Sequence, residues 1–246
     1  MLRRFFLFSC LILFFASCED KKSASQNITT EASEIKAEKD SLAKKKAEEK
    51  EAKEKEKKEP VPEGPLITQK ELIPFLTEYG KENPEDRIRI TTRFGEIEVE
   101  LFHDTPLHRA NFIFLVKHNY FDQTYFHRVS KDFVIQGGNS DRISTNQKRH
   151  YIGSYLIPSE FEAGHRHVRG AFAAAKYSDQ NVSKASSPYE FYIVQPERGA
   201  HHLDNDHTVF GRVTKGMDVV DAISKVDVDQ SEWPITNIHL TVEIID

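Results

Sequence analysis

The order of apolar and polar positions divides this 246-residue chain into stretches of different character. Phe5 to Ala16 is apolar except for Ser9 and follows Arg3 and Arg4. It is too short to span a bilayer, which takes about 20 residues, and has the charge and length of a signal peptide. Residues 19–60 hold 12 Lys and 12 acidic residues with almost no large apolar side chain, so they cannot bury a core. Glu49/Lys53, Glu51/Lys55 and Glu54/Lys58 are i,i+4 pairs that support a solvated helix, without the a/d apolar repeat of a coiled coil. Pro60-Val-Pro-Glu-Gly-Pro65 ends this spacer. Only from Leu66 to Asp246 do apolar positions recur with helical and strand periods, over a length that suits one core.

Within that part, Thr68-Gln-Lys-Glu71 has capping-box spacing ahead of Leu72, Ile73, Phe75 and Leu76, which predicts a lead-in helix over residues 66–87. Ile88, Ile90 and Thr92 alternate with polar neighbours, and so do Ile97, Val99 and Leu101; the two predict a hairpin with one wet face. Thr105-Pro106 predicts a helix start, with Ala110, Phe112, Ile113, Leu115 and Val116 on its buried side and an end near Asn119. Further strands are predicted at 133–136, 171–175, 190–194, 208–213 and 238–245, with a helix on Met217, Val220 and Ile223. Seven or eight short strands with two or three helices imply a mainly β, closed or nearly closed antiparallel barrel.

Composition narrows the chemistry. Both cysteines, Cys10 and Cys18, precede the foldable part, which excludes a disulfide scaffold, a Cys nucleophile and Cys-ligated zinc there. The formal net charge is −5, and loss of Arg3 and Arg4 with a leader makes it more negative; no nucleic-acid partner is expected. The histidines at His165-x-His167 and His201-His202…His207 lack an acidic or Cys shell, so they are read as solvated loop residues and no metal is expected.

Phe15-Ala16-Ser17-Cys18 resembles the lipobox of bacterial lipoproteins. The resemblance implies a signal peptide over 1–17, a lipidated Cys18 heading an 18–65 tether, and attachment to an extracytoplasmic face of the bacterial cell envelope. The bland alternative is an ordinary secretory signal cleaved nearby.

Tyr125-Phe-His-Arg128 followed by Phe133-Val-Ile-Gln136-Gly-Gly138 resembles the signature of cyclophilin-type peptidyl-prolyl isomerases. The likeness continues over 88–246 in Thr105-Pro-Leu-His-Arg-Ala-Asn-Phe112, Ile157-Pro-Ser-Glu-Phe161, Arg169-Gly-Ala-Phe-Ala-Ala-Ala175, Phe191-Tyr-Ile-Val194 and Leu203-Asp…His207-Thr-Val-Phe-Gly211. It implies a closed eight-stranded barrel, prolyl cis-trans isomerisation on proline-containing polypeptides, no cofactor, and a monomer.

By position in those motifs, Arg128, Phe133, Gln136 and His207 take the catalytic roles. Val134, Ala175, Lys176, Glu190, Tyr192, His202 and Leu203 take substrate-binding ones. Departures from the family also stand out. His202 replaces the Trp of eukaryotic members, Val134 a frequent Met, Lys176 an Asn, and Pro188-Tyr189-Glu190 a Gly-Ser-Gln. Loss of Trp and Met implies weaker cyclosporin binding. Lys176 and Glu190 either pair with each other or alter peptide preference, and Glu190 would lower activity if it drew Arg128 aside. The alternative function is therefore a catalytically weak proline-binding or chaperone-like module on the same fold. The 139–169 segment has no pattern that decides between a lid and packing on the barrel.

Overall fold

A computed structural model describes residues 66–177 and 183–246. The signal, Cys18 and tether readings lie outside the described residues. Eight strands close into an antiparallel barrel in the order β1-β2-β7-β5-β6-β4-β3-β8, as expected from the strand count. In chain order the strands are β1 Arg87–Thr92, β2 Gly95–Leu101, β3 Thr124–Ser130, β4 Val134–Asn139, β5 Ala171–Ala174, β6 Phe191–Val194, β7 Val209–Lys215 and β8 Ile238–Ile244. The helices are α1 Leu72–Glu82, α2 Pro106–Lys117, α3 Ile143–Ile152 and α4 Met217–Ile223.

The predicted hairpin pairs Ile88 with Val99 and Ile90 with Ile97, and all four side chains are buried while Arg89, Glu96 and Glu98 form ion pairs on the other face. That is the alternation expected of a strand pair with one solvated side. β5 and β6 are buried on both faces. Phe172, Ala174, Phe191 and Ile193 belong to the barrel core, whereas Ala171, Ala173, Tyr192 and Val194 belong to a second apolar cluster on the outside. Two buried faces explain why these strands read as unbroken apolar runs. The outer cluster is where the site forms.

Phe112 of α2 inserts among the rings of Phe172, Phe191 and Phe210, with centroids 5.3–5.9 Å away. Burying such rings is the largest apolar contribution that single side chains make to a core. α1 lies on α2 through Leu72, Leu76 and the edge-on contacts of Phe75 and Tyr79 with Phe114.

At two helix starts the side-chain capping differs from the sequence reading, although α2 starts at Pro106 as expected. α1 begins at Leu72 with Glu71 as its N-cap, and the Thr68 hydroxyl donates to the Glu71 carboxylate instead of capping the backbone. At α2, Thr105 donates its hydroxyl to the Phe102 carbonyl. The free amides of Leu107 and His108 are met by the distant carboxylate of Glu160, each at 3.0 Å. Glu160 also bonds the His108 ring, whose other nitrogen meets Ser186. An anion at a helix N-terminus is favoured by the aligned peptide dipoles.

Among the described residues α3 is a further helix that the sequence reading did not include. Its sequence, ISTNQKRHYI, is polar apart from its ends, so no apolar stripe announces it. It is no free lid: Ile152 is buried, the Leu66 and Ile67 amides bond the carbonyls of Tyr151 and Ile152, and Arg149 bonds the Tyr120 hydroxyl and the Gly138 carbonyl.

Glu160→Ala strands two α2 amides and the His108 ring. It is expected to destabilise the domain by about 1–3 kcal/mol, read as a lower urea midpoint at unchanged slope.

Candidate functional site

Arg128 would point into the barrel if β3 were regular, because it has the same parity as the core residue Phe126. It does not, because Phe126 pairs with Gly137 and Arg128 with Gln136, so β3 advances two residues while β4 advances one. His127 is the extra residue of a β-bulge. The bulge lets Phe126 and Val129 both enter the core and turns Arg128 outward, the re-aiming that bulges perform beside active sites. One step along, Tyr125 pairs with Asn139 and Phe126 with Gly137, so β4 carries a compensating bulge at Gly138. Gly138 has φ +93°, and a Cβ there would collide with the Tyr189 carbonyl oxygen. Glycine is required at this position.

On the outer face of β4, β6 and the end of β5 lies a pocket of about 200 Å³ lined by nine residues. Arg128 and Gln136 form its polar side. Phe133, Val134, Ala175, Tyr192 and Leu203 form its apolar wall, closed by Lys176 and His207. Its volume is below the roughly 300–1,000 Å³ of pockets for drug-sized ligands, so it suits one compact side chain.

Two residues of the sequence-derived set stand apart from this lining. His202 lies behind the rim and stacks on Phe133, with centroids 5.3 Å apart. Glu190 lies behind Gln136, whose Nε2 donates to Glu190 Oε2 at 2.9 Å. Because a carboxylate only accepts, Gln136 must turn its Oε1 the other way, to 3.5 Å from Arg128 Nη1.

Neither of the feared pairings forms. Glu190 is paired with Arg149 of α3 at 3.1 Å, with His127 Nε2 3.5 Å away, while Lys176 is paired with Asp206 at 2.6 Å. Burial opposes ionisation of Glu190, but His127 and Arg149 outweigh it and hold its carboxyl below the ordinary value. The group that does reach Arg128 is Glu232, whose Oε2 accepts from Arg128 Nε at 2.7 Å.

His207 is kept neutral. Burial first, and then the charge of Lys176, push its ring down to about 4. Its Nδ1 lies 3.1 Å from Asp206 Oδ2, but the two are not aligned as a hydrogen bond. Tyr192 is fixed from below. Its hydroxyl donates to His167 Nε2 at 2.8 Å, and His167 Nδ1 donates to Asp204 Oδ1 at 2.8 Å. His167, read from sequence as a solvated loop residue, is fully buried, because the tyrosine hydroxyl under the pocket needs a partner.

The residues that sequence reasoning missed are Glu232, Arg149, His167 and Asp206. None is among the residues that carry the family resemblance, and each acts through a residue of the sequence-derived set. Among the described residues no group of three or more His, Cys, Asp or Glu side chains could hold a metal ion.

Residues 87–243 match the family model of the cyclophilin type peptidyl-prolyl cis-trans isomerase/CLD. Peptidyl-prolyl cis-trans isomerase-like 2 of Rhizopus delemar is 35% identical over 66% of this chain, which spans only 29% of that protein. A peptidyl-prolyl cis-trans isomerase of Acinetobacter baylyi is 37% identical over 56% of this chain and 72% of its own length. Among solved structures, a cyclophilin-type isomerase of Cryptosporidium parvum, crystallised in the presence of the dipeptide Ala-Pro, superposes with TM-score 0.55 at 24% identity, covering 65% of this chain and 99% of that one.

Since the folded His207 titrates near 4 against an ordinary 6.5, the unfolded chain binds a proton between those values that the folded chain refuses. Its contribution to stability is therefore present above about pH 6.5 and lost as pH falls toward 4. Unfolding free energies at pH 7 and pH 5 are expected to differ less in His207→Gln than in the wild type.

Proposed function

The chain belongs to the cyclophilin-type peptidyl-prolyl cis-trans isomerase family, and on that premise we propose that it catalyses rotation about X–Pro bonds of polypeptides by electrostatic stabilisation of the twisted amide by Arg128. The observation that carries this reading is the guanidinium of Arg128 at the lip of an apolar pocket, beside an amide that faces it.

The chemistry follows from amide resonance. Rotation meets a barrier of roughly 18–20 kcal/mol because the C–N partial double bond must be lost, and free X–Pro bonds exchange over tens to hundreds of seconds. At 90° of twist the prolyl nitrogen recovers its lone pair and becomes an acceptor. A fixed N–H donor at that nitrogen stabilises the twisted amide and has nothing comparable to bind in the planar one, which is the condition for acceleration. Arginine stays protonated, so Arg128 acts as a donor and transfers no proton. The prolyl ring rests against Phe133, Val134, Tyr192 and Leu203, which holds the ring side while the preceding carbonyl turns. The Gln136 amide, fixed by Glu190, supports the guanidinium at the lip. The neutral His207 ring closes the wall without adding charge beside the pocket.

The lipobox-like Phe15-Ala16-Ser17-Cys18 and the charged 19–60 stretch support a tethered form that acts on proteins folding outside the cytoplasm of a bacterial cell. Acyl chains on Cys18 would hold it at the membrane, since anchoring by a single chain is marginal.

Two experiments test these readings. In exchange of an Ala-Pro model peptide, kcat/KM is expected to fall at least about 100-fold in Arg128→Ala, the scale found when one oriented transition-state donor is removed. Equal rates in both proteins, or peptide binding by the wild type without rate enhancement, would contradict the mechanism. In a bacterial host, the wild type is expected to partition with membranes and to carry acyl mass on a fragment beginning at Cys18, and Cys18→Ala to be released. An unacylated wild type would contradict the anchor.

A further inference from the structure

The geometry points to Glu232 as a positioning residue of the isomerisation, one that aims the Arg128 guanidinium from the loop between α4 and β8; this rests on the role of Arg128 proposed above. Glu232 holds three points of β3 at once. Its Oε2 accepts from Arg128 Nε at 2.7 Å, its Oε1 from the Ser130 hydroxyl at 2.7 Å, and its backbone carbonyl from the Val129 amide at 2.9 Å. The side chain cannot shift along the strand without losing one of these bonds.

The loop is built to deliver it. Glu232 has φ +64°, a left-handed conformation uncommon for a residue with a side chain and often found at functional sites. The Asp229 carboxylate accepts from the amides of Ser231 and Trp233, on either side of Glu232, and from the Ser231 hydroxyl. The Glu232 amide donates to the Asp229 carbonyl, and Val228 bridges to Pro234 across the base of the turn. The loop is thus tied together by its own hydrogen bonds, and it presents the glutamate to β3 beside the contact of the Trp233 ring with His127.

Stability is a poor explanation for this arrangement. The side chains of Arg128 and Glu232 are 35% and 39% exposed, and exposed ion pairs add little to folding. Geometry is a better one. Glu232 takes the guanidinium through Nε, and Gln136 Oε1 lies on the far side at Nη1. The planar group is thereby fixed at both ends, and its remaining N–H bonds stay free for the pocket. Ser130 completes the Glu232 carboxylate, so this acceptor is itself held. A guanidinium left on a flexible stem would spend most of its time off the line to the prolyl nitrogen, and small misplacements of a catalytic group cost large factors in rate.

Kinetics of Ala-Pro peptide exchange with the full folded chain test this. Glu232→Ala is expected to lower kcat about tenfold with KM within about twofold, because the interaction it supports is made in the twisted state. Glu232→Gln keeps an acceptor for Nε and is expected to recover most of the loss. In Arg128→Ala the further change Glu232→Ala is expected to cost nothing, since it acts only through the arginine. A Glu232→Ala rate at or above wild type, or a further loss in the double variant, would overturn the proposal. Failure of the underlying mechanism looks different: there Arg128→Ala itself keeps the wild-type rate.

Discussion

One inserted residue in β3 decides which side of the barrel wall carries the guanidinium. With a regular β3, Arg128 would share the inward face with Phe126, and a charge would be driven into a core of aromatic rings at prohibitive cost. The bulge at His127 moves it to the outer face, beside Gln136. The second bulge at Gly138 restores the register of the pair, and that bulge is what Tyr120 and Arg149 hold by bonding the Gly138 carbonyl. The geometry of the site is thus a consequence of strand pairing, and the rest of the structure fixes it.

From that point the polar groups form one connected chain. Arg149 neutralises Glu190, Glu190 turns the amide of Gln136, and Gln136 faces Arg128, which Glu232 holds from the other side. Each carboxylate in it has a cation or donor, which burial demands only of Glu190. The Glu190 that replaces the family's more usual residue is accommodated because α3 supplies Arg149. Across the pocket, Lys176 is tied to Asp206, and the ring of His207 beside them stays uncharged.

Much of this was legible in the sequence where one physical rule dominates. The β1–β2 hairpin has one wet face and therefore alternates, and Pro106 marks the start of α2. β3 was missed as a strand because Thr124, Tyr125, Phe126 and His127 are all buried and its bulge breaks the period. α3 was missed because it is anchored by Arg149 and its C-terminal end rather than by an apolar stripe. Of the site, the pocket-lining residues could be named because they stand in ordered motifs. Glu232 and His167 could not, since their importance comes from a left-handed turn and from a tyrosine hydroxyl that needs a partner. Glu190 and Lys176 are adjacent to the site in the sequence pattern, yet their partners, Arg149 and Asp206, are set only by the closed barrel.

The central claim is that Arg128 binds the twisted amide and not the planar one. It is tested most directly by NMR exchange spectroscopy on an Ala-Pro peptide bound to the protein, which yields the cis and trans affinities together with the on-enzyme interconversion rates. The account predicts that Arg128→Ala lowers the forward and reverse rates by the same large factor while both affinities stay close to wild type. Unchanged interconversion, or a loss carried entirely by weaker binding of the two planar forms, would contradict it.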